Sequence, residues 1–338
     1  MSVFRFDKVV GRARGVRTLP LLLREKLISN KLMSKRQKLR RIRNELRRTA
    51  DRQTILDYKK RKKSIQQEIF RLENDLRSAE EARSNGDPNG GQALQAASDP
   101  VTGAIPDFLI IGARKCGTTF LYDLISRHPY VQPAVKKELH YFDIFFNEEG
   151  IDWYRRCFPV PRWKDGCRTI TGEATPYLDA SRVPERIAKV LPQARLIALL
   201  RDPVQRAYSD YQQVRRKGRE PLPFEEAIEA EKRQPKGLRG YLSRGIYVDH
   251  LLCWSRFFAE DQLLVLKSED FFGHTQETLE RVLDFLDLPK WDADVSETRN
   301  NKGEYETQMA PATRQRLEEY FEPHNGRLYE YLGVNFEW

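Results

Sequence analysis

Phe108-Leu109-Ile110-Ile111-Gly112-Ala113-Arg114-Lys115-Cys116-Gly117-Thr118-Thr119 sets an apolar run against a loop bounded by two glycines and closed by two hydroxyl residues. That order reads as a buried strand, a tight turn and the start of a helix. Such a junction is an anion cradle, because the first N–H groups of a helix lack intrahelical acceptors and the positive end of its dipole faces the loop. The gap between Gly112 and Gly117 equals that of the nucleoside triphosphatase loop G-x-x-x-x-G-K-[ST], but Thr118 stands where that loop carries its lysine. The only lysine of the loop is Lys115, within the bend, a placement that suits an anionic group shorter than a triphosphate. The bland reading of the same residues is a tight strand-to-helix turn with incidental charge.

A second segment supports the first. The run from Arg195 to Leu200 reads as a strand, and Arg201-Asp202-Pro203 follows it. Asp202 is a good helix N-cap and Pro203 fits the first helical position, so a helix starts there. Asp202 and Ser209 then share a face, with Arg206 close to it. Arg201 at the strand end can offer a bidentate fork to a phosphate, and Ser209 adds a hydroxyl. The segments Asp107 to Ile111, Arg195 to Leu200 and Leu263 to Lys267 are candidate strands alternating with helical patterns. The expected fold class is therefore α/β, a P-loop-type parallel sheet flanked by helices. Leu279, Val282, Leu283 and Leu286, and likewise Leu317, Tyr320 and Phe321, repeat at helical spacing and read as core faces.

Charge divides the chain of 338 residues. Residues 1 to 100 hold 25 Lys+Arg and 12 Asp+Glu, a net of +13, whereas residues 101 to 338 hold 34 and 37, a net of −3. Between Pro20 and Gly86 there is neither Gly nor Pro, and good helix formers dominate, so residues 1–84 read as a basic helical extension, either one long helix or a helical hairpin. Heptad-like spacing at Leu39/Ile42/Leu46 and Ile65/Ile69/Leu72/Leu76 gives it a coiled-coil-like character, although the two patches do not keep one register. Self-association through residues 24–84 competes with peripheral contact to an anionic membrane or to nucleic acid. Residues 85–103 are rich in Gly, Asn and small side chains and read as a flexible linker, leaving 104–338 as the catalytic domain. Neither a membrane anchor nor a secretory signal is evident, so a soluble, cytoplasmic chain is expected, with organelle targeting by the Arg-rich start left open. Four cysteines without a C-x-x-C pair exclude a zinc ribbon and a disulfide-dense scaffold.

The two phosphate-handling segments resemble those of the sulfotransferase superfamily that uses 3′-phosphoadenosine 5′-phosphosulfate (PAPS), and most of all its heparan sulfate 3-O- and N-sulfotransferase branch. The similarity runs from Ile105 to Trp338 and includes Lys136-Lys137-Glu138-Leu139-His140-Tyr141-Phe142-Asp143, Val183-Pro184-Glu185-Arg186 and Asn301-Lys302-Gly303. The resemblance implies that Arg114, Lys115, Cys116, Gly117, Thr118 and Thr119 hold the 5′-phosphosulfate, and that Arg201 and Ser209 hold the 3′-phosphate with Tyr247 nearby. It also implies that the loop of Lys302 and Gly303 closes over the nucleotide. By the same resemblance Glu138 is the general base and His140 its assistant.

In-line sulfuryl transfer also needs a cation on the departing phosphate oxygen, a task that falls to Lys115. The segment from Lys137 to Phe142 reads as a strand or strand end, with Glu138 and His140 on one face. A salt bridge of Glu138 to Lys136 or Lys137, and a merely structural His140, are the plain alternatives. Trp153, Trp163 and Trp254 could line a sugar cleft or serve as packing anchors. No metal is expected, since no convincing ligand set accompanies the loop. Two features depart from the branch: Ala174 stands where a lysine is expected at the acceptor site, and no cysteine follows Cys253. The acceptor is expected to be a carbohydrate hydroxyl or amine. A P-loop phosphotransferase and a non-catalytic nucleotide-binding scaffold are the competing functions.

Overall fold

The computed structural model describes residues 103–146, 150–233, 240–293 and 308–338, together with positions 28, 31, 32, 34, 35, 38, 64, 65 and 68. The chain divides into two units, Met1–Val101 and Thr102–Trp338. In the first, the described positions are helical, and Ile28, Leu32 and Ile65 are buried. Lys35 pairs with Glu68. A single straight helix would hold those positions roughly 50 Å apart, so the two described helical stretches lie side by side. The heptad-like positions Leu39, Ile42, Leu46, Ile69, Leu72 and Leu76, and the linker positions 85–102, lie outside the described residues.

The second unit opens with β1 (Phe108–Gly112), α1 (Thr118–Ile125), β2 (Val131–Pro133) and α2 (Ile151–Arg155). A short hairpin of β3 (Trp163–Lys164) and β4 (Cys167–Arg168) leads into β5 (Ile170–Ala174), α3 (Val183–Val190) and β6 (Arg195–Leu200). Then come α4 (Pro203–Arg216), α5 (Phe224–Arg233), α6 (Tyr247–Trp254), β7 (Leu263–Lys267), α7 (Ser268–Gly273), α8 (Thr275–Phe285) and α9 (Pro311–Leu332). The main sheet has the order β2-β5-β1-β6-β7, and every pair in it is parallel. Both faces of such a sheet are covered, so β1 is buried at every position and β6 at all but its first. The chain passes from β5 to β6 across β1, which makes the C-terminal end of β1 the topological switch point where α/β sheets bind ligands.

The strands from Arg195 and from Leu263 have the bounds read from sequence, and β1 is displaced by one residue. Helix α4 begins as its residues dictate: Asp202 accepts from the N–H of Val204 at 2.8 Å and of Gln205 at 3.4 Å, and Pro203 takes the first turn. Its apolar face joins α5 and α9 in a core of Val204, Ala207, Phe224, Ile228, Leu317 and Phe321. The expected strand at Lys137–Phe142 is absent. Leu139, Tyr141 and Phe142 are all buried, and two successive buried side chains cannot both lie on the one core-facing side of a strand. The chain instead turns through left-handed Glu138 (φ 59) and His140 (φ 55) into a π-helical turn, Tyr141–Phe145. No helix of the described residues is long and apolar enough to cross a membrane.

Candidate active site

Backbone chemistry dominates the donor side. Gly117 adopts φ 95, and a Cβ there would meet the Phe272 ring at 2.7 Å, so this corner needs glycine both for its conformation and for its space. Among the described residues, no backbone N–H from Lys115 to Thr119 donates to a main-chain carbonyl. These donors therefore stand available to an anion at the head of α1. Burial, reinforced by the charges of Arg216, Lys217 and Arg114 and opposed by Asp210, pulls the Lys115 ammonium below its ordinary range. The Cys116 thiol is fully buried and pushed up to about 11 by that burial. It is turned away from the loop's mouth, so what Cys116 can offer an anion is its main-chain N–H. Ser268 Oγ donates to the Cys116 carbonyl at 2.6 Å and fixes the loop from beneath.

The two phosphate-handling segments meet. Arg201 Nη1 donates to the Lys115 carbonyl at 3.4 Å while Nη2 donates to Gln205 at 2.9 Å. Ser209 is buried on α4, two turns beyond the strand end. Tyr247 lies almost wholly inside, 1% exposed, and its hydroxyl donates to the Arg201 carbonyl at 2.8 Å with the Cys116 sulfur 3.9 Å away. Its hydroxyl thus clamps the strand end to the loop. Further along α4, Asp210 lies 3.6 Å from Arg206 and 3.3 Å from Arg244, and Arg244 also donates to Asp179 at 2.8 Å.

Across the mouth, Lys137 donates to the Thr119 hydroxyl and so brings a second lysine to the loop. Sequence reasoning weighed Lys137 only as a partner for Glu138. The Glu138 N–H donates to the Ala174 carbonyl at the end of β5, 3.0 Å away. Its carboxylate is half exposed, 3.9 Å from His140 Nε2. Proximity of Glu138 and His140 therefore holds, although it comes from two left-handed residues and not from strand alternation. The other ring nitrogen, Nδ1, lies 2.9 Å from Asp143. Burial works against the imidazolium, but the hydrogen bond to Asp143 and the charges of Asp143, Glu138 and Glu173 outweigh it and raise the His140 pKa.

Glu173 was missed. It is 0% exposed and accepts from Tyr154 (2.8 Å), Thr175 (2.7 Å) and Tyr177 (3.3 Å). Burial pushes its carboxyl up, against the pull of those hydroxyls and of His140. Thr175 and Tyr177 follow it closely in sequence, but a glutamate amid β-sheet residues gives no sequence signal that the Tyr154 hydroxyl, 19 residues back, will join them on a fully buried carboxylate.

A cleft of about 270 Å³ opens beside the loop, lined by Arg114, Gln213, Lys217, Arg219 and Arg244 with Asp210. The larger cleft, about 570 Å³, is lined by Tyr208, Tyr211, Arg215 and Phe224, and no donor-loop residue contributes to it. Trp254 is a packing anchor, fully buried with its indole N–H donating to the Leu178 carbonyl at 3.1 Å. Trp153 stacks on Tyr141, and Trp163 stands exposed at the other end of the sheet. Lys302 and Gly303 lie outside the described residues. All four cysteines are free thiols. Among the described residues no group of three or more His, Cys, Asp or Glu side chains is placed to hold a metal ion.

Comparison with known proteins agrees with this geometry. A sulfotransferase-domain model matches residues 105–302. Human heparan sulfate glucosamine 3-O-sulfotransferase 6 is 31% identical over 273 residues, covering 74% of this chain and 78% of that protein. Human bifunctional heparan sulfate N-deacetylase/N-sulfotransferase 2 is 34% identical over 197 residues, which cover 54% of this chain but only 22% of that longer protein. The crystal structure of a sulfotransferase from Alicyclobacillus acidocaldarius superposes on 69% of this chain and 98% of its own, with a TM-score of 0.59 and 28% identity. With the anion cradle, the second phosphate segment and more than half its length matched in register, the chain belongs to the sulfotransferase-domain family, within the PAPS-dependent superfamily.

Proposed function

We propose that this chain transfers the sulfuryl group of PAPS to an amine or hydroxyl of an anionic, glucosamine-containing carbohydrate. The observation that carries the acceptor class is the cationic cleft beside the donor loop, whose lining includes Arg114, Lys217, Arg219 and Arg244. The one acid there, Asp210, already faces Arg206 and Arg244. Carboxylate- and sulfate-bearing sugars complement such a lining. The names of the heparan sulfate relatives point the same way. Ala174, where that branch is expected to carry lysine, removes one cation from the acceptor side, and the end of α4 supplies others.

In this reading the bound donor supplies a sulfuryl group on a phosphate leaving group. The N–H groups of Lys115 to Thr119 and the Lys115 ammonium take up charge on the departing phosphate oxygen, with Lys137 beside them. Arg201 and Ser209 hold the 3′-phosphate, and Tyr247 positions Arg201. Glu138 takes the proton from the acceptor as it attacks. His140, held by Asp143 at 2.9 Å, stands 3.9 Å from that carboxylate and can donate a hydrogen bond to it or to the acceptor.

Calorimetric titration with 3′-phosphoadenosine 5′-phosphate (PAP) and with ATP, each with and without magnesium, tests the donor assignment. PAP should bind without magnesium and ATP much more weakly; preference for ATP with magnesium would make the chain a phosphotransferase. Transfer of radiolabelled sulfate from PAPS to desulfated, partly sulfated and uncharged oligosaccharides tests the acceptor. Equal labelling of the uncharged set would overturn the anionic class.

A further inference from the structure

The hairpin of β3 and β4 lies at the end of the sheet opposite the cleft and presents an exposed indole, Trp163, on its first strand. Trp163 pairs with Arg168 and Lys164 with Cys167. Asp165 and Gly166 join the strands, both left-handed at φ 51 and 79. Two successive positive φ values belong to the tight turn that Asp-Gly forms most readily and that matches strand twist. The base of the hairpin is pinned twice: Thr169 N–H donates to the Arg162 carbonyl at 2.7 Å, and Arg162 N–H donates to Thr169 Oγ1 at 2.7 Å. Arg168 is tied to Asp107, just ahead of β1, at 2.7 Å. This rigid frame holds Trp163 outward at 76% exposed, the highest value among the large apolar side chains described, with Val160 nearby in sequence at 55%.

The surroundings are cationic. From 155 to 168 the chain carries Arg155, Arg156, Arg162, Lys164 and Arg168 against the single acid Asp165, although residues 101 to 338 as a whole are net acidic. Arg156, Arg162 and Lys164 are exposed. Gly103 packs directly on the Arg155 main chain, and Ala104 N–H reaches the Phe158 carbonyl at 3.5 Å. The first described residues of this domain therefore lie beside this strip. An exposed indole in a stretch that also exposes Arg156, Arg162 and Lys164 matches the headgroup boundary of a bilayer, where the ring leaves water and the cations meet phosphates. A protein partner would need a broader face than one hairpin tip provides, and a nucleic-acid phosphate track would have no use for exposed Val160.

We propose that the Trp163 hairpin docks this domain on an anionic lipid surface, with Trp163 and Val160 at the headgroup boundary and Arg156, Arg162 and Lys164 on the lipid phosphates. The hairpin leads into the N-terminal end of β5 and the cleft sits at the C-terminal ends of the strands, so docking leaves Lys115 and Glu138 turned away from the lipid and open to a glycan.

Co-sedimentation of the full chain with vesicles of phosphatidylcholine alone, or of phosphatidylcholine with phosphatidylserine, tests this. The parent should partition onto the anionic vesicles and far less onto the neutral ones. Trp163→Ala should lower that partition about tenfold, and Lys164→Ala roughly fivefold. Affinity for PAP, and hence folding of the domain, should be unchanged in both variants. No binding by the parent, equal binding to neutral vesicles, or a partition that neither substitution alters would overturn the proposal. So would duplex RNA binding that depends on Trp163 while vesicle binding does not.

Discussion

The two sides of the candidate active site are built from different materials. The donor side, Gly112 to Thr119 with Arg201, Ser209 and Tyr247, relies on backbone N–H groups and a buried clamp, and its geometry follows from a strand, a glycine turn and a helix start. The side that carries Glu138 relies on exposed charges held by two residues in left-handed conformations. The difference teaches that a glycine-bounded strand-to-helix turn is encoded locally by spacing, whereas Glu138, the base of the proposed reaction, is aimed by the packing around it.

Substitutions on the two sides should therefore fail differently. Glu138→Gln keeps the shape and removes the base; kcat should fall by about 10²–10⁴-fold with PAP affinity nearly unchanged, as steady-state rates and calorimetry would show. Strong residual turnover would mean that Glu138 is not the base. On the donor side Arg201→Ala removes a charge-assisted contact, so PAP affinity should drop by roughly 10- to 100-fold, a loss that titration reads directly. Tyr247→Phe leaves the ring in place but removes the hydrogen bond to the partly buried Arg201 carbonyl. It should lower unfolding stability by about 0.5–1.5 kcal/mol in denaturant titrations and weaken PAP binding by less than Arg201→Ala does.

The subtlest expected effect is on proton affinity. The folded His140 pKa is raised, so the stability it contributes is complete below the unfolded value of about 6.5 and is lost as pH rises through the raised folded value. Asp143→Asn removes the hydrogen-bonded carboxylate. The His140 midpoint seen by proton NMR should fall, and the stability gap to the parent should be widest at mildly acid pH and close as pH rises. A midpoint that stays in place would show that Glu138 and Glu173, not Asp143, hold the proton on the ring.

Spacing alone made the donor loop legible, and Asp202 with Pro203 announced where α4 begins, because capping and helix polarity depend on neighbours a few residues apart. Continuous apolar runs likewise marked β6 and β7, since strands buried on both faces have few other readings. The same local logic failed at Lys137 to Phe142, where consecutive aromatic residues had to pack together around Tyr154 and Tyr177, overriding strand alternation.

What the sequence by itself determined is the part of this protein that neighbours along the chain can specify: a parallel α/β sheet, a glycine-bounded strand-to-helix turn at Gly112 to Thr119, an arginine and a capped helix start after β6, and a basic segment ahead of the domain. Only the tertiary structure decided what distant residues do to one another. It clamped Arg201 with Tyr247, brought the Tyr154 hydroxyl onto buried Glu173, gathered Arg114, Lys217, Arg219 and Arg244 along one cleft and left Trp163 in solvent. Each of these depends on burial and on through-space distance, and a linear order of residues fixes neither until the sheet and its helices have packed.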